Sequence, residues 1–218
     1  MSNTAEPALY QDVRPVLVTW SAVLALGVLI AAAWQAGLAS YVGVQRAESP
    51  WTYLKAAERY EADKNWGRAL EMLQEAAKRG PDSPVPYERM GLIYYQQRND
   101  WAAALAAFRE ALDKGSDSLD VRGKTIWALI HLNRFDDAAA FGKRCMDEGH
   151  DSANFPRYTG EAYFRAGKFA DARPHLETAL KSFPTDMLLM ERLQACYKAL
   201  GDTESAKRME KRIHEHEG

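Results

Sequence analysis

The chain has 218 residues, with 28 Lys+Arg against 30 Asp+Glu for a formal net charge of −2, and is 47% hydrophobic and 27% charged. This composition excludes a basic nucleic-acid binder, an acidic tail and a wholly disordered chain, and 2 cysteines exclude a disulfide-rich scaffold. The charges are segregated: the first fifty residues carry only Glu6, Asp12, Arg14, Arg46 and Glu48.

After a short tail (1–15), the chain runs to Gln45 without a charged side chain or histidine. Its centre, VLVTWSAVLALGVLIAAAWQAGL over 16–38, extends about 34 Å as a helix, enough for the hydrocarbon core of a bilayer. A single transmembrane helix is expected there, in contact with lipid, followed by a linker over 39–50. Trp20, Trp34 and Tyr41 lie toward the ends of the run, where aromatic rings suit the headgroup layer. A cleaved signal peptide is the alternative, because Gly37-Leu38-Ala39 has the small-x-small form. Against it, the run exceeds an ordinary h-region, and the n-region offers only Arg14 and the α-amine. Arg14 adjoins the helix, with Arg46 and Lys55 beyond its other end, and its nearness to the helix favours an inside N-terminus with the large domain outside the cytoplasm. Gly27 with Ala31, and Ala33 with Gly37, would permit lateral association of two such helices.

From Trp51 onward the sequence repeats. Ala69, Ala104, Ala138, Ala172 and Ala206 are spaced by 35, 34, 34 and 34 residues. Three residues before them stand Trp66, Trp101, Phe135, Phe169 and Thr203; seven after stand Ala76, Ala111, Cys145, Ala179 and Ile213. Upstream recur Tyr60, Tyr94, Leu129, Tyr163 and Tyr197, with small Ala57, Gly91 and Gly160 three earlier. Asn65, Asn99, Asn133, Gly167 and Gly201 mark a turn inside each unit, and Pro81 and Pro184 close two of the units. Each unit is therefore expected to be two helices joined by a short turn, in an all-α solenoid of five hairpins over 51–83, 84–118, 119–152, 153–186 and 187–218.

This pattern resembles the tetratricopeptide repeat (TPR) family along all of 51–218, most closely where Gly160, Tyr163, Gly167, Phe169, Ala172, Leu176, Ala179, Leu180 and Pro184 match its motif. Small residues let paired helices approach, the aromatic at Phe169 plugs the gap, and Ala179 packs on the next unit. Three departures stand out. The second unit has one surplus residue in the Gln96–Asp100 turn, the third has Thr125 and Ile126 where a large and then a small residue are preferred, and Pro174 should kink or delay its helix. The polar last helix suits a solenoid cap.

The resemblance implies a concave face made by the first helices. Two columns on it read Glu58, Leu92, Trp127, Glu161, Ala195 and Glu61, Tyr95, Ile130, Phe164, Lys198. The expected protein-binding patch is Leu92, Tyr95, Trp127, Ile130 and Phe164, with His131, Arg157 and Arg165 around it. A known subset of the family grips acidic chaperone tails through a clamp of lysine, asparagine and arginine. The corresponding positions here hold Glu88 and Leu92, or Gly123 and Trp127, with isolated Lys124 and Arg192, so that clamp is not assembled.

No chemistry stands beside this surface. Cys145 and Cys196 fall in non-neighbouring units, too far apart for a bridge. His214 and His216 lack a third metal ligand, and Gly167-Lys168 lacks the spacing and hydroxyl of a phosphate loop. No catalytic residues, cofactor, metal or nucleic acid are expected. The reading is a membrane-anchored scaffold that binds a protein partner; its resemblance to anchored repeat proteins of bacteria implies a place at a bacterial inner membrane and a part in assembly or biogenesis of a membrane or envelope complex. The alternatives are a stable structural subunit of such a complex and a ligand- or metal-binding accessory of an enzyme.

Overall fold

The structure, a computed structural model, describes residues 49–217 together with Ala31, Ala32 and Trp34. It separates into a unit Met1–Thr52 and a unit Tyr53–Gly218. In the first, Ala31, Ala32 and Trp34 are helical and exposed; the span expected over 16–38 otherwise lies outside the described residues, as do the tail and most of the linker. Among the described residues no helix is long and apolar enough to cross a membrane.

Ten helices follow in chain order: α1 (Pro50–Ala62), α2 (Trp66–Arg79), α3 (Val85–Ile93), α4 (Trp101–Asp113), α5 (Leu119–His131), α6 (Phe135–Asp147), α7 (Asn154–Arg165), α8 (Phe169–Ser182), α9 (Met187–Ala199) and α10 (Thr203–Glu217). Their starts are written in the sequence. Asn65, Asp100, Ser118, Asp186 and Asp202 accept from the backbone N–H three residues on, at 3.0–3.3 Å, which satisfies one orphan donor of each helix. α6 and α8 follow Arg134 and Lys168, which give no side-chain cap; Asp136, Asp137 and Asp171 place negative charge in their first turns instead.

Inside each hairpin the first helix ends in a left-handed residue: Lys64, Asn99, Asn133, Gly167 or Gly201, with φ of 57°, 50°, 56°, 73° and 77°. In the first hairpin this residue is Lys64, one earlier than the Asn65 expected from the sequence, because Asn65 serves as the cap of α2. After it, the next N–H closes the helix on the carbonyl of the recurrent Tyr or Leu. Asn65 donates to Tyr60 at 2.7 Å, and Arg134 to Leu129, Lys168 to Tyr163 and Asp202 to Tyr197, each at 2.9 Å. In the second hairpin the donor to Tyr94 is Asp100, one residue further along, at 3.0 Å. The surplus residue of this unit is absorbed by a single π turn over Tyr94–Arg98 that continues α3, so the insertion widens the helix end and leaves the stacking register intact.

Where the hairpin helices cross, bulk is exchanged between them. A Cβ on Gly91 would overlap the Phe108 ring, and one on Gly160 would lie 2.7 Å from Leu176 Cδ2. In the third hairpin the small position of the first helix is filled by Ile126, and the facing residue of α6 is Gly142, whose Cβ would overlap Thr159 Oγ1 and come within 3.3 Å of Ile126 Cδ1. Thr125, also out of pattern, is buried and donates its hydroxyl to the Val121 carbonyl at 2.8 Å. Pro174 does not delay its helix: α8 begins at Phe169, the offset at which Phe135 begins α6. The buried apolar residues form four clusters strung along the chain. That is the arrangement of a solenoid, where each hairpin completes its core against its neighbours.

Candidate protein-binding face

First helices of successive hairpins pack on one another at α5–α7 and α7–α9, and their side chains build the candidate face. One column on it comprises Lys55, Arg89, Lys124, Tyr158 and Arg192, and four of its five members are cationic. Three of the cations reach across to the preceding first helix in the same way. Arg89 pairs with Glu61 at 3.0 Å and donates to the Leu54 carbonyl at 3.2 Å. Lys124 Nζ stands 5.9 Å from the Tyr95 ring centroid, and Arg192 Cζ 4.8 Å from that of Phe164. A carboxylate in the first hairpin is thus replaced by ring faces in later ones, which attract a cation through the π system. Lys124 is also ion-paired to Asp120 one turn earlier.

Tyr158 breaks the cationic column and joins a ladder of rings. Tyr95 meets Trp101 edge-on at 5.1 Å, Trp101 stacks on His131 at 4.0 Å and 11°, His131 meets Trp127 at 5.5 Å, and Trp127 meets Tyr158 at 5.2 Å. Tyr95, Trp101, Trp127 and Tyr158 are half-buried, and His131 is exposed. Burial pushes the Tyr95 hydroxyl up to about 12, helped by Tyr158 and Asp120; it raises Tyr158 likewise, partly offset by Arg157. Burial, and then the Arg165 charge, hold the His131 imidazole below its ordinary 6.5, so the ring in the ladder is neutral at neutral pH.

The residues singled out from the sequence do not all come together. Tyr95, Trp127 and His131 come together in the ladder; Phe164 lies further along, 5.5 Å from Phe169 and beneath Arg192; Leu92 is half-buried against the Phe108 cluster. Ile130, expected on the face, is fully buried among Leu105, Leu129 and Ala138: its aliphatic side chain is shorter than the rings at the equivalent Tyr95 and Phe164, and stays within the core. Arg157, expected beside the patch, neighbours Tyr158 in the chain; it pairs with Asp186 at 2.9 Å and stands 5.6 Å from the centroid of Phe183. Two further rings complete the ladder: Trp101, at the repeat position that Phe169 holds in the fourth unit, and Tyr158, in the otherwise cationic column.

At the far end of the ladder a carboxylate is buried between two guanidinium groups. Glu161, 6% exposed at its side chain, accepts from Arg165 Nε at 2.6 Å and Arg192 Nε at 3.1 Å. Two charge-assisted bonds offset the desolvation of the carboxylate, and the cluster keeps a surplus of one positive charge.

Elsewhere, a cleft of about 600 Å³ lies between α4, α5 and α6, with Arg109, Arg122 and Arg144 on its walls and Leu112, Leu129 and Phe141 among its lining; it shares none of the ladder residues. Cys145 and Cys196 are free and buried, and burial raises both thiols, Cys196 to about 11. Among the described residues no three His, Cys, Asp or Glu side chains are placed to hold a metal ion.

Stacked helix hairpins presenting half-buried rings and cations define a repeat protein of the peptide- and protein-binding class. The tetratricopeptide repeat family model matches residues 24–217, and the chain belongs to that family. Its fold is similar to that of YrrB, described as a TPR protein with an unusual peptide-binding site, with a TM-score of 0.70, 16% identity, and 81% of this chain and 91% of that one covered. MamA from Desulfovibrio magneticus RS-1 (residues 41 to the end) gives a TM-score of 0.68 at 17% identity, covering 77% of this chain and 94% of that one. PilW, a type IV pilus biogenesis factor, gives 0.59 at 19%, covering 87% and 89%. At these identities the likeness is one of fold. No curated protein matches the chain significantly.

Proposed function

We propose that the chain is a membrane-anchored TPR scaffold that holds a protein partner on its first-helix face and assists assembly or biogenesis of a membrane or envelope complex. TPR domains are protein-interaction scaffolds. The observation that carries the reading here is the ladder Tyr95–Trp101–His131–Trp127–Tyr158, whose large rings are left half-buried or exposed after the hairpins have packed. Rigid aromatics beside cations are the residue types on which partner affinity concentrates. A peptide-binding site is named for YrrB and pilus biogenesis for PilW, so both duties occur on this fold. The uncharged run through 16–38 supports the anchor, with the repeats on the extracytoplasmic side of a bacterial inner membrane.

Trp127→Ala with Tyr158→Ala should abolish co-purification of the partner while leaving the helical circular dichroism intact; a partner retained by that variant would favour a subunit fixed by other surfaces. Alkaline extraction tests the anchor, since a spanning helix stays in the membrane pellet. The family match reaches back to residue 24, and release into the supernatant would overturn the anchor in favour of a cleaved signal peptide or a further repeat helix.

A further inference from the structure

The face carries its surplus of positive charge at one end. At the first hairpin Lys55 and Glu58 are both exposed and Glu61 is balanced by Arg89 at 3.0 Å, so the charges there cancel. At the fourth and fifth hairpins one buried carboxylate, Glu161, is shared by Arg165 and Arg192, and the exposed Lys198 follows Phe164 in its column. Both arginines remain partly open, 38% and 28% exposed at their side chains. Each guanidinium has five N–H donors, so each keeps donors beyond those spent on Glu161. The cluster adjoins the ring ladder, because Glu161 stands three residues after Tyr158 on α7 and Arg192 follows Tyr158 in its column.

Resting on the groove reading above, we propose that the partner segment bound here carries an Asp or Glu side chain that docks on Arg165 and Arg192, together with an aromatic or aliphatic residue resting on Trp127 and Tyr158. The incoming carboxylate neutralises the surplus positive charge and takes the open guanidinium donors in charge-assisted bonds. The apolar residue covers the half-buried rings. Neighbouring first helices stand about 10 Å apart, and an extended chain advances about 3.3 Å per residue. The acidic and apolar residues therefore stand roughly three to six positions apart in the segment. This recognition differs from a clamp on a chain terminus: it reads an internal side chain, and the polarity of the face fixes the direction in which the segment lies.

Phage-displayed random peptides of about twelve residues, fused through their C-termini and selected on the immobilised full-length chain in detergent, test this. The expected consensus pairs Asp or Glu with Trp, Phe, Tyr, Leu or Ile at that spacing, with the acid enriched roughly threefold or more over the starting library. Arg165→Gln should remove the acidic enrichment and keep the apolar one, its folding checked by thermal melting; Arg192→Lys, which keeps the charge but loses the planar fork, should weaken the acidic enrichment in the same direction. Apolar enrichment without acid, or acid enrichment indifferent to both arginine variants, overturns the proposal while leaving the groove reading standing. Failure to recover any peptide above a blank surface overturns both.

Discussion

The third and fourth hairpins close their helix crossings with opposite distributions of bulk. In the fourth, the first helix supplies Gly160 and the second Leu176; in the third, the first helix carries Ile126 and the second yields with Gly142. The second hairpin follows the fourth, with Gly91 beneath the fully buried Phe108. The requirement at each crossing is therefore a filled volume shared between two facing residues, and either helix can contribute the larger part. Interiors packed this closely respond to a single methylene, which makes the comparison measurable.

The largest expected effect comes from emptying a crossing. Phe108→Ala removes a buried ring from above Gly91 and should cost roughly 4 kcal/mol, and Leu176→Ala roughly 3 kcal/mol, both read from urea denaturation followed by circular dichroism. Equal small losses, under about 1 kcal/mol, would mean that the neighbours collapse into the space and that the crossings are not filled by these side chains. Overfilling comes next. Gly142→Leu drives a side chain into Ile126 and Thr159 and should destabilise by roughly 2–3 kcal/mol. Adding Ile126→Gly should recover about 1 kcal/mol or more, a favourable coupling between contacting sites. If the double variant is simply the sum of the singles, the exchange of bulk is incidental.

The same pair explains what the sequence did and did not disclose. The 34-residue spacing, the aromatic before four of the five alanines and the turn residues specify helix, turn and order, because the hairpins need them at recurring offsets. Ile126 breaks its own column, and its compensation lies across the hairpin, where Gly142 takes the offset that Phe108 and Leu176 fill in the second and fourth units. On the face, Tyr95 and Trp127 stood out because large rings there exceed what helix packing requires. Tyr158 did not, since it occupies a column that otherwise holds Lys55, Arg89, Lys124 and Arg192. Ile130 ends in the core for a related reason: sequence offset fixes the side of a helix, whereas side-chain length decides how far the group reaches.

A smaller effect separates the second hairpin from the others. Its extra residue sits in the π turn Tyr94–Arg98, where Gln96 and Gln97 are exposed. Deleting Gln97 should let the helix close on Tyr94 with the bond geometry of the other hairpins and change stability by less than about 1 kcal/mol. A much larger loss would show that the widened turn is needed to set Trp101 against Tyr95, and would tie the insertion to the ring ladder.

The smallest effect is one of pH, and it distinguishes two histidines that stack on rings. His131 lies 4.0 Å from Trp101, and His175 5.7 Å from Tyr163. Burial lowers both below 6.5; Arg165 adds to the shift at His131, while at His175 Lys143 adds and Asp171 opposes. A histidine whose folded pKa is depressed binds fewer protons in the folded chain than in the unfolded one below the unfolded value. Its stabilising contribution is therefore complete above about pH 6.5 and declines as pH falls through the unfolded value toward the folded one. The urea midpoint should be flat between about pH 8 and 7 and fall by pH 5.5, where carboxylates with ordinary pKa values remain ionised. His175→Gln should flatten that fall more than His131→Gln, because His175 is half-buried whereas His131 is exposed. Since His131 belongs to the face, a bound segment acts on it in two opposed ways: covering the ring disfavours the charged form, whereas a carboxylate docked on Arg165 offsets the charge that helps to hold the imidazole low. A midpoint at pH 5.5 unchanged by both substitutions would leave the acid sensitivity to other groups.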